Sequence, residues 1–180
     1  MKSKQWRSAL PRRADNRAVA SWLLEPGSLT ARCVAASGQF QVRVLTHRSG
    51  QPLPDEAAVV DGGRASVREV VLECDGRPVI FAHTVVPASP RGRLTRWLAG
   101  LGSRSLGSLL FAYPGFKRGA LEFRRLDRRH PLYRRAGSIA PITTASLWAR
   151  RSLHRLGTQR VLVTEVFLPA IARLAEQKPR

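Results

Sequence analysis

Hydrophobic and polar residues alternate along much of the chain, a pattern typical of strands with one buried face. The predicted strands are residues 40–46, 65–74, 78–87, 116–126 and 161–168. Asp75 and Gly76 directly follow the second of these strands, and this dipeptide is typical of a two-residue hairpin turn. The segment 144–155 fits either a strand or a helix. The pattern therefore predicts a sheet that contains at least one hairpin.

Apolar residues spaced three and four positions apart predict short helices between the strands. The predicted helices are 18–24, 28–36 and 91–101, with a shorter helix or turn at 106–111. Segments 51–56 and 131–141 are predicted to be loops because of their prolines. This order favours a single-domain α+β fold, an antiparallel sheet with helices covering one face. We expect that domain at 17–172, after a flexible basic N-terminal arm at 1–16 and before a C-terminal tail at 173–180.

Two predicted strands each carry one charge on the face that should be apolar. Arg68 lies in line with Val70, and Glu165 lies in line with Val163. A lone buried ion costs several kcal/mol, roughly, so both side chains should be paired or should line a pocket. One alternative is an Arg68–Glu165 ion pair that only stabilises the sheet. Residues 128–175 contain nine arginines but a single acid, Glu165, and its inward position favours a polar site.

Composition narrows the functional classes. Of the 180 residues, 43% are hydrophobic, which is enough for one folded core. The formal net charge of +19 would attract nucleic acid or an acidic membrane surface, but the arginines are spread from Arg7 to Arg180 without a long block, so we expect no nucleic-acid partner. Cys33 and Cys74 lack metal-ligand spacing, and no phosphate-loop or dinucleotide-binding motif occurs. We expect no metal, no cofactor and no stable membrane insertion.

An ordered set of motifs resembles the chorismate pyruvate-lyase family. The motifs are Val-Arg-Glu-Val-Val-Leu at 67–72, Asp-Gly at 75–76, Thr-Val-Val-Pro at 84–87, Leu-Gly at 106–107, Leu-Phe at 110–111, Leu-Trp-Ala-Arg-Arg-Ser at 147–152 and Thr-Glu-Val-Phe-Leu-Pro at 164–169. Each motif alone is weakly specific, whereas the set in this order and spacing is fairly specific. The resemblance spans roughly Trp22 to Pro169.

The resemblance implies a monomeric cytoplasmic enzyme that cleaves chorismate to 4-hydroxybenzoate and pyruvate without a cofactor, in the first committed step of ubiquinone biosynthesis. It implies a sheet of about six strands with flap helices over an enclosed pocket. Arg68 matches the family's arginine that holds a substrate carboxylate, and Glu165 matches its essential glutamate, either a general acid or a group that orients the ether. Leu29 and Leu106 match further substrate-binding positions.

This sequence departs from the family pattern at Leu29, where methionine is usual, and at His83, where arginine is usual. The leucine roughly conserves volume, whereas His83 puts a second anion contact in doubt. The main alternative function is a catalytically silent protein of the same fold that binds an aromatic acid. Such a protein would keep Arg68 but would not need Glu165, so the glutamate favours the enzyme. A module that binds nucleic acid is a third, weaker alternative.

Overall fold

Every strand pairing in the central sheet is antiparallel. The computed structural model describes residues 5–12, 17–60, 63–88, 96–97, 100–107, 110 and 113–176. The strands are β1 Phe40–Gly50, β2 Ala65–Cys74, β3 Arg77–Pro87, β4 Lys117–Arg118, β5 Glu122–Asp127, β6 Ser146–Leu156 and β7 Gln159–Phe167. The helices are α1 Ala20–Leu23, α2 Leu29–Ala35, α3 Pro54–Ala57, α4 Pro131–Gly137 and α5 Ile171–Glu176.

Within the described residues the sheet has seven strands in the order β1-β2-β3-β7-β6-β4, and β5 also pairs with β6. Because β4 and β5 occupy the same edge of β6, the strands fill six lateral positions, in agreement with the predicted sheet. The predicted turn between β2 and β3 is confirmed. Asp75 and Gly76 have φ of 50° and 73°, the left-handed conformation that a tight hairpin turn of this kind requires.

The predicted α+β fold with an antiparallel sheet is confirmed, except that described helices pack on both faces of the sheet and not on one. Ile80 and Phe167 pack in a cluster with α1, α2 and α5. Their neighbours Phe81 and Val166 point the other way and pack against α4. The source of the error was the segment 131–141, which was predicted to be a loop because of its prolines.

The prolines of α3 and α4 stand where a helix tolerates them. Pro131 occupies the first turn of α4, where its missing N–H removes no intrahelical hydrogen bond. The His130 side chain caps this helix by accepting a hydrogen bond from the backbone of Leu132. Pro54 likewise begins α3, inside the other predicted loop, 51–56. Both predicted loops therefore contain short helices.

Several predicted boundaries also differ from the structure. The predicted strand 116–126 is divided into β4 and β5. Between them the Gly119 N–H donates to the Leu153 carbonyl at 2.7 Å, an approach that a larger side chain would hinder. The ambiguous segment 144–155 forms strand β6, and α5 continues into the predicted tail. Most of the predicted helix 91–101 lies outside the described residues.

Part of the N-terminal arm is docked on the sheet. Arg7 exchanges two backbone hydrogen bonds with Phe123 on β5, at 3.0 and 2.8 Å. The Trp6 indole donates to Asp55 at 2.8 Å, and the Arg151 guanidinium lies 4.5 Å from its ring centroid. The domain limits at 17 and 172 stay predictions. Within the described residues, no helix has the length and apolar character needed to cross a membrane.

Candidate active site

A polar band crosses one face of the sheet between two apolar clusters. It consists of Arg68, Thr84, Glu165, Arg150, Ser152, His154 and Arg118. The register aligns Arg68, Thr84, Val163 and Ser152 across four strands, so all four point to the same face. Glu165 is two residues further along β7 and shares that face. From strand spacing, the Cα atoms of Arg68 and Glu165 are about 12 Å apart.

Arg68 does not pair with Glu165, so the ion pair considered from the sequence is absent. Its side chain is 2% exposed, and Nη2 donates to the carbonyls of Gly102 and Arg104 at 2.8 and 3.0 Å. Burial lowers the pKa of Arg68, although a guanidinium stays charged at neutral pH. The arginine therefore connects the sheet to the segment 100–107, here called the second cover segment.

Glu165 instead pairs with Arg150 on the adjacent strand β6. The Arg150 Nε donates to Glu165 Oε2 at 2.6 Å, and the two side chains are 1% and 15% exposed, respectively. The Arg150 Nη1 also donates to carbonyls near the end of α1, including those of Leu23 and Glu25 at 3.2 and 2.6 Å. Residues 20–35, here called the first cover segment, are thereby joined to the carboxylate.

Arg150 was not among the site residues predicted from the sequence. The signal was its alternation with Trp148 along β6, which places both side chains on one face. That signal has meaning only if 144–155 is a strand, and the pattern of this segment left strand and helix open.

Leu29 and Leu106, the two apolar positions named from the resemblance, lie one in each cover segment. Leu29 is 2% exposed in the cluster with Ile80, and Leu106 is 4% exposed in the cluster with Val163. Thr30 follows Leu29 and Ser105 precedes Leu106. Their hydroxyl groups are hydrogen-bonded, with 2.5 Å between Oγ1 and Oγ, so this contact joins the two cover segments. A cavity of about 390 Å³ lies beside this contact. The enclosure of the pocket stays a prediction.

The part of the band nearest the edge of the sheet is centred on another arginine, Arg118. Arg118 lies opposite His154 on β6, and its Nε donates to Ser152 Oγ at 3.1 Å. The Arg118 Nη1 donates to the Pro26 carbonyl at 2.8 Å. Ser152 Oγ is also 3.1 Å from His154 Nε2. Burial, followed by the charges of Arg118 and Arg150, lowers the pKa of His154 to about 4, so its imidazole is neutral at physiological pH.

His83 lies on the opposite face of the sheet, so this position cannot supply an anion contact to the polar band. Its Nδ1 is 2.8 Å from Glu69 Oε1, and its Nε2 is 3.2 Å from Glu56 Oε1. Burial favours a lower pKa for His83, but the hydrogen bonds and charges of Glu56 and Glu69 outweigh it and raise the pKa. Arg135 also pairs with Glu69. The group is a buried ionic network behind the sheet.

No group of three or more histidine, cysteine, aspartate or glutamate side chains in the described part of the chain is arranged to hold a metal ion. The fold and the band together define a class of protein, an α+β domain with a charged face beneath two cover segments. Solved structures support that class at the level of the fold. The ligand-binding domain of a putative GntR-family transcriptional regulator from Bordetella bronchiseptica is 14% identical with a TM-score of 0.54, and the alignment covers 74% of this chain and 85% of that one.

A family model described as "Chorismate lyase" matches residues 2–177. The probable chorismate pyruvate-lyase of Dechloromonas aromatica is 64% identical over 97% of this chain and 99% of that protein. The protein of the same name from Ralstonia nicotianae is 46% identical over 93% and 90% of the two chains. The chain therefore belongs to the chorismate lyase family, as its motifs predicted.

Proposed function

We propose that this protein cleaves chorismate to 4-hydroxybenzoate and pyruvate on the polar band. The observation that carries the proposal is that Arg68 and Glu165 share one face of the sheet, with their Cα atoms about 12 Å apart. That spacing is compatible with one six-membered ring bound between the two side chains. The family membership makes chorismate the substrate to expect.

Arg68 is proposed to bind the carboxylate on the ring. A guanidinium offers a planar fork that holds a carboxylate through two parallel hydrogen bonds, a geometry that lysine cannot reproduce. Both hydrogens of Nη2 already donate to the carbonyls of Gly102 and Arg104, so a carboxylate held by the fork would take the place of one of these contacts. The low exposure of Arg68 strengthens the interaction, because little water competes with the incoming carboxylate. The ring would thus be held in one orientation.

Glu165 is proposed to act at the ether side of the ring. In the reaction the ring–oxygen bond of the ether breaks, the ring carbon that bears the hydroxyl loses a proton, and the enolpyruvyl methylene gains one to give pyruvate. A guanidinium only donates hydrogen bonds, so Oε2 of Glu165 accepts from Arg150 and Oε1 is the oxygen left for the substrate. The charge-assisted pairing fixes the orientation of this carboxyl group beside the ether.

The test is incubation of the purified protein with chorismate, with both products followed by chromatography. Equal amounts of 4-hydroxybenzoate and pyruvate are expected from the wild type. Arg68→Ala and Glu165→Gln should each lower kcat/KM by ~100-fold or more. Arg64→Ala is the matched control, because Arg64 is exposed immediately before β2 and bonds only to Ser49 among the described side chains.

A folded wild type that binds 4-hydroxybenzoate but forms neither product would favour the silent aromatic-acid binder instead. The resemblance further supports a monomeric protein of the cytoplasm that supplies 4-hydroxybenzoate to ubiquinone biosynthesis. It also supports a reaction without nucleic acid or cofactor. Leu29 and Leu106 are proposed to contact the ring from the two cover segments.

A further inference from the structure

The proposed function leaves one carboxylate of the substrate without a partner. Chorismate carries a carboxylate on its ring and a second one on the enolpyruvyl group, which is joined through the ether that Glu165 is proposed to face. If Arg68 holds the first, the second comes to lie on the other side of Glu165, towards the edge of the sheet. The side chain of Arg118 occupies that part of the polar band.

We infer that Arg118, positioned by Ser152, binds the carboxylate of the enolpyruvyl group. This inference rests on the proposed function and assigns to it a second substrate contact. The register places the Cα atoms of Ser152 and Glu165 about 8 Å apart on adjacent strands. Because the Arg118 Nε lies 3.1 Å from Ser152 Oγ, its guanidinium is within reach of a three-carbon group attached beside Glu165.

The charges around Arg118 favour an additional anion. Burial lowers the pKa of Arg118, and the positive charge of Arg150 lowers it further. The negative charges of Glu165 and Glu25 oppose this shift, so Arg150, Glu165 and Glu25 all lie close enough to act on Arg118. Glu25 is itself paired with Arg32. Among the described side chains named here, three guanidiniums outnumber two carboxylates, and the buried His154 stays neutral beside them. This excess of positive charge favours a carboxylate from the substrate.

Arg150 is less suited to this role than Arg118. The Arg150 side chain is 1% exposed, and its Nε and Nη1 are directed to Glu165 and to backbone carbonyls of the first cover segment. Arg118 is only half-buried, so a ligand can approach it from the solvent side. Arg150 is therefore better explained as a positioning residue for Glu165, and Arg118 as the substrate contact.

The test compares substrate and product, because 4-hydroxybenzoate lacks the enolpyruvyl carboxylate. Affinities for chorismate and 4-hydroxybenzoate would be measured by calorimetry in Glu165→Gln protein, with and without Arg118→Gln. Arg118→Gln should weaken chorismate binding by about 10- to 100-fold and change 4-hydroxybenzoate binding by less than about twofold. Arg118→Lys should restore part of the loss, because it keeps the charge without the fork. Arg68→Ala should weaken both ligands.

Arg155→Gln is the matched control, since it removes one exposed guanidinium from the neighbouring strand β6 and should leave both affinities unchanged. An equal loss of both affinities in Arg118→Gln would overturn the inference, because Arg118 would then act through its contacts within the protein, such as that with the Pro26 carbonyl. Unchanged affinity for chorismate would also overturn it. Wild-type protein that forms no product would refute the proposed function, and the ratio of affinities would still decide the role of Arg118.

Discussion

Replacement of Arg150 with methionine removes the guanidinium that connects Glu165 to the first cover segment. The guanidinium is almost completely buried, and its three shortest hydrogen bonds reach Glu165 Oε2 at 2.6 Å and the carbonyls of Leu23 and Glu25 at 3.2 and 2.6 Å. Removal of one partner from a buried ion pair costs about 3–5 kcal/mol, because the other charge is left uncompensated. We expect Arg150→Met to lower the free energy of unfolding by that amount.

A double-mutant cycle separates the two roles of this arginine. In Glu165→Gln protein no carboxylate is left stranded, so Arg150→Met should cost about 1–3 kcal/mol less than in the wild type. The loss that remains should be about 2 kcal/mol, from the two carbonyl hydrogen bonds at about 1 kcal/mol each. The coupling energy therefore measures the ion pair, and the remainder measures the contact with the first cover segment.

Urea unfolding followed by circular dichroism gives the four free energies, provided that the slopes with denaturant agree. The matched control is Arg151→Met with Glu122→Gln, because that neighbouring pair has a 38% exposed carboxylate and should couple by less than about 1 kcal/mol. Additive losses at Arg150 and Glu165, within about 0.5 kcal/mol, would refute the reasoning.

Three further outcomes are expected. Because the pKa of His83 is raised in the folded protein, the contribution of His83 to stability should be complete below the unfolded pKa of about 6.5 and should decrease as pH rises above that value. His83→Asn should flatten the dependence of the urea midpoint on pH. A wild-type midpoint that rises with pH would contradict this prediction. Thr30→Val removes the hydrogen bond between the cover segments and should speed release of 4-hydroxybenzoate by about fivefold in stopped-flow measurements. Ser103 is exposed in the second cover segment, so Ser103→Ala should leave the release rate unchanged. Trp6→Ala removes the contacts of the indole with Arg151 and Asp55 and should lower the free energy of unfolding by about 1–2 kcal/mol. Arg12 is exposed, so Arg12→Ala should leave the free energy of unfolding unchanged.

Local patterns were sufficient to predict much of the sheet. Alternation with a period of two residues depends on neighbouring positions alone, so it placed Arg68 and Glu165 on inward faces. The turn at Asp75 and Gly76 has its own local signature, and the predicted range of β2 agrees with the observed Ala65–Cys74.

The partners of these charges could not be predicted in the same way. Glu165 pairs with Arg150 because β6 lies beside β7, which is a fact of tertiary structure. Arg68 bonds to the carbonyls of Gly102 and Arg104, and a backbone carbonyl has no sequence signature. Similarly, α4 is a short helix between prolines, and its stability comes from packing against Phe81 and its neighbours rather than from intrinsic propensity.

The two faces of the sheet hold their charges in different ways, and the difference bears on where a ligand binds. Behind the sheet, Glu69 and Glu56 are paired with His83, and Glu69 also with Arg135. The band also contains an ion pair, Arg150 with Glu165, but its Arg68 is held by backbone carbonyls. A carbonyl dipole satisfies the donors of a guanidinium without neutralising its charge, so the arginine keeps its attraction for an anion. A substrate with two carboxylates would therefore bind to the band and not to the ion pairs behind the sheet.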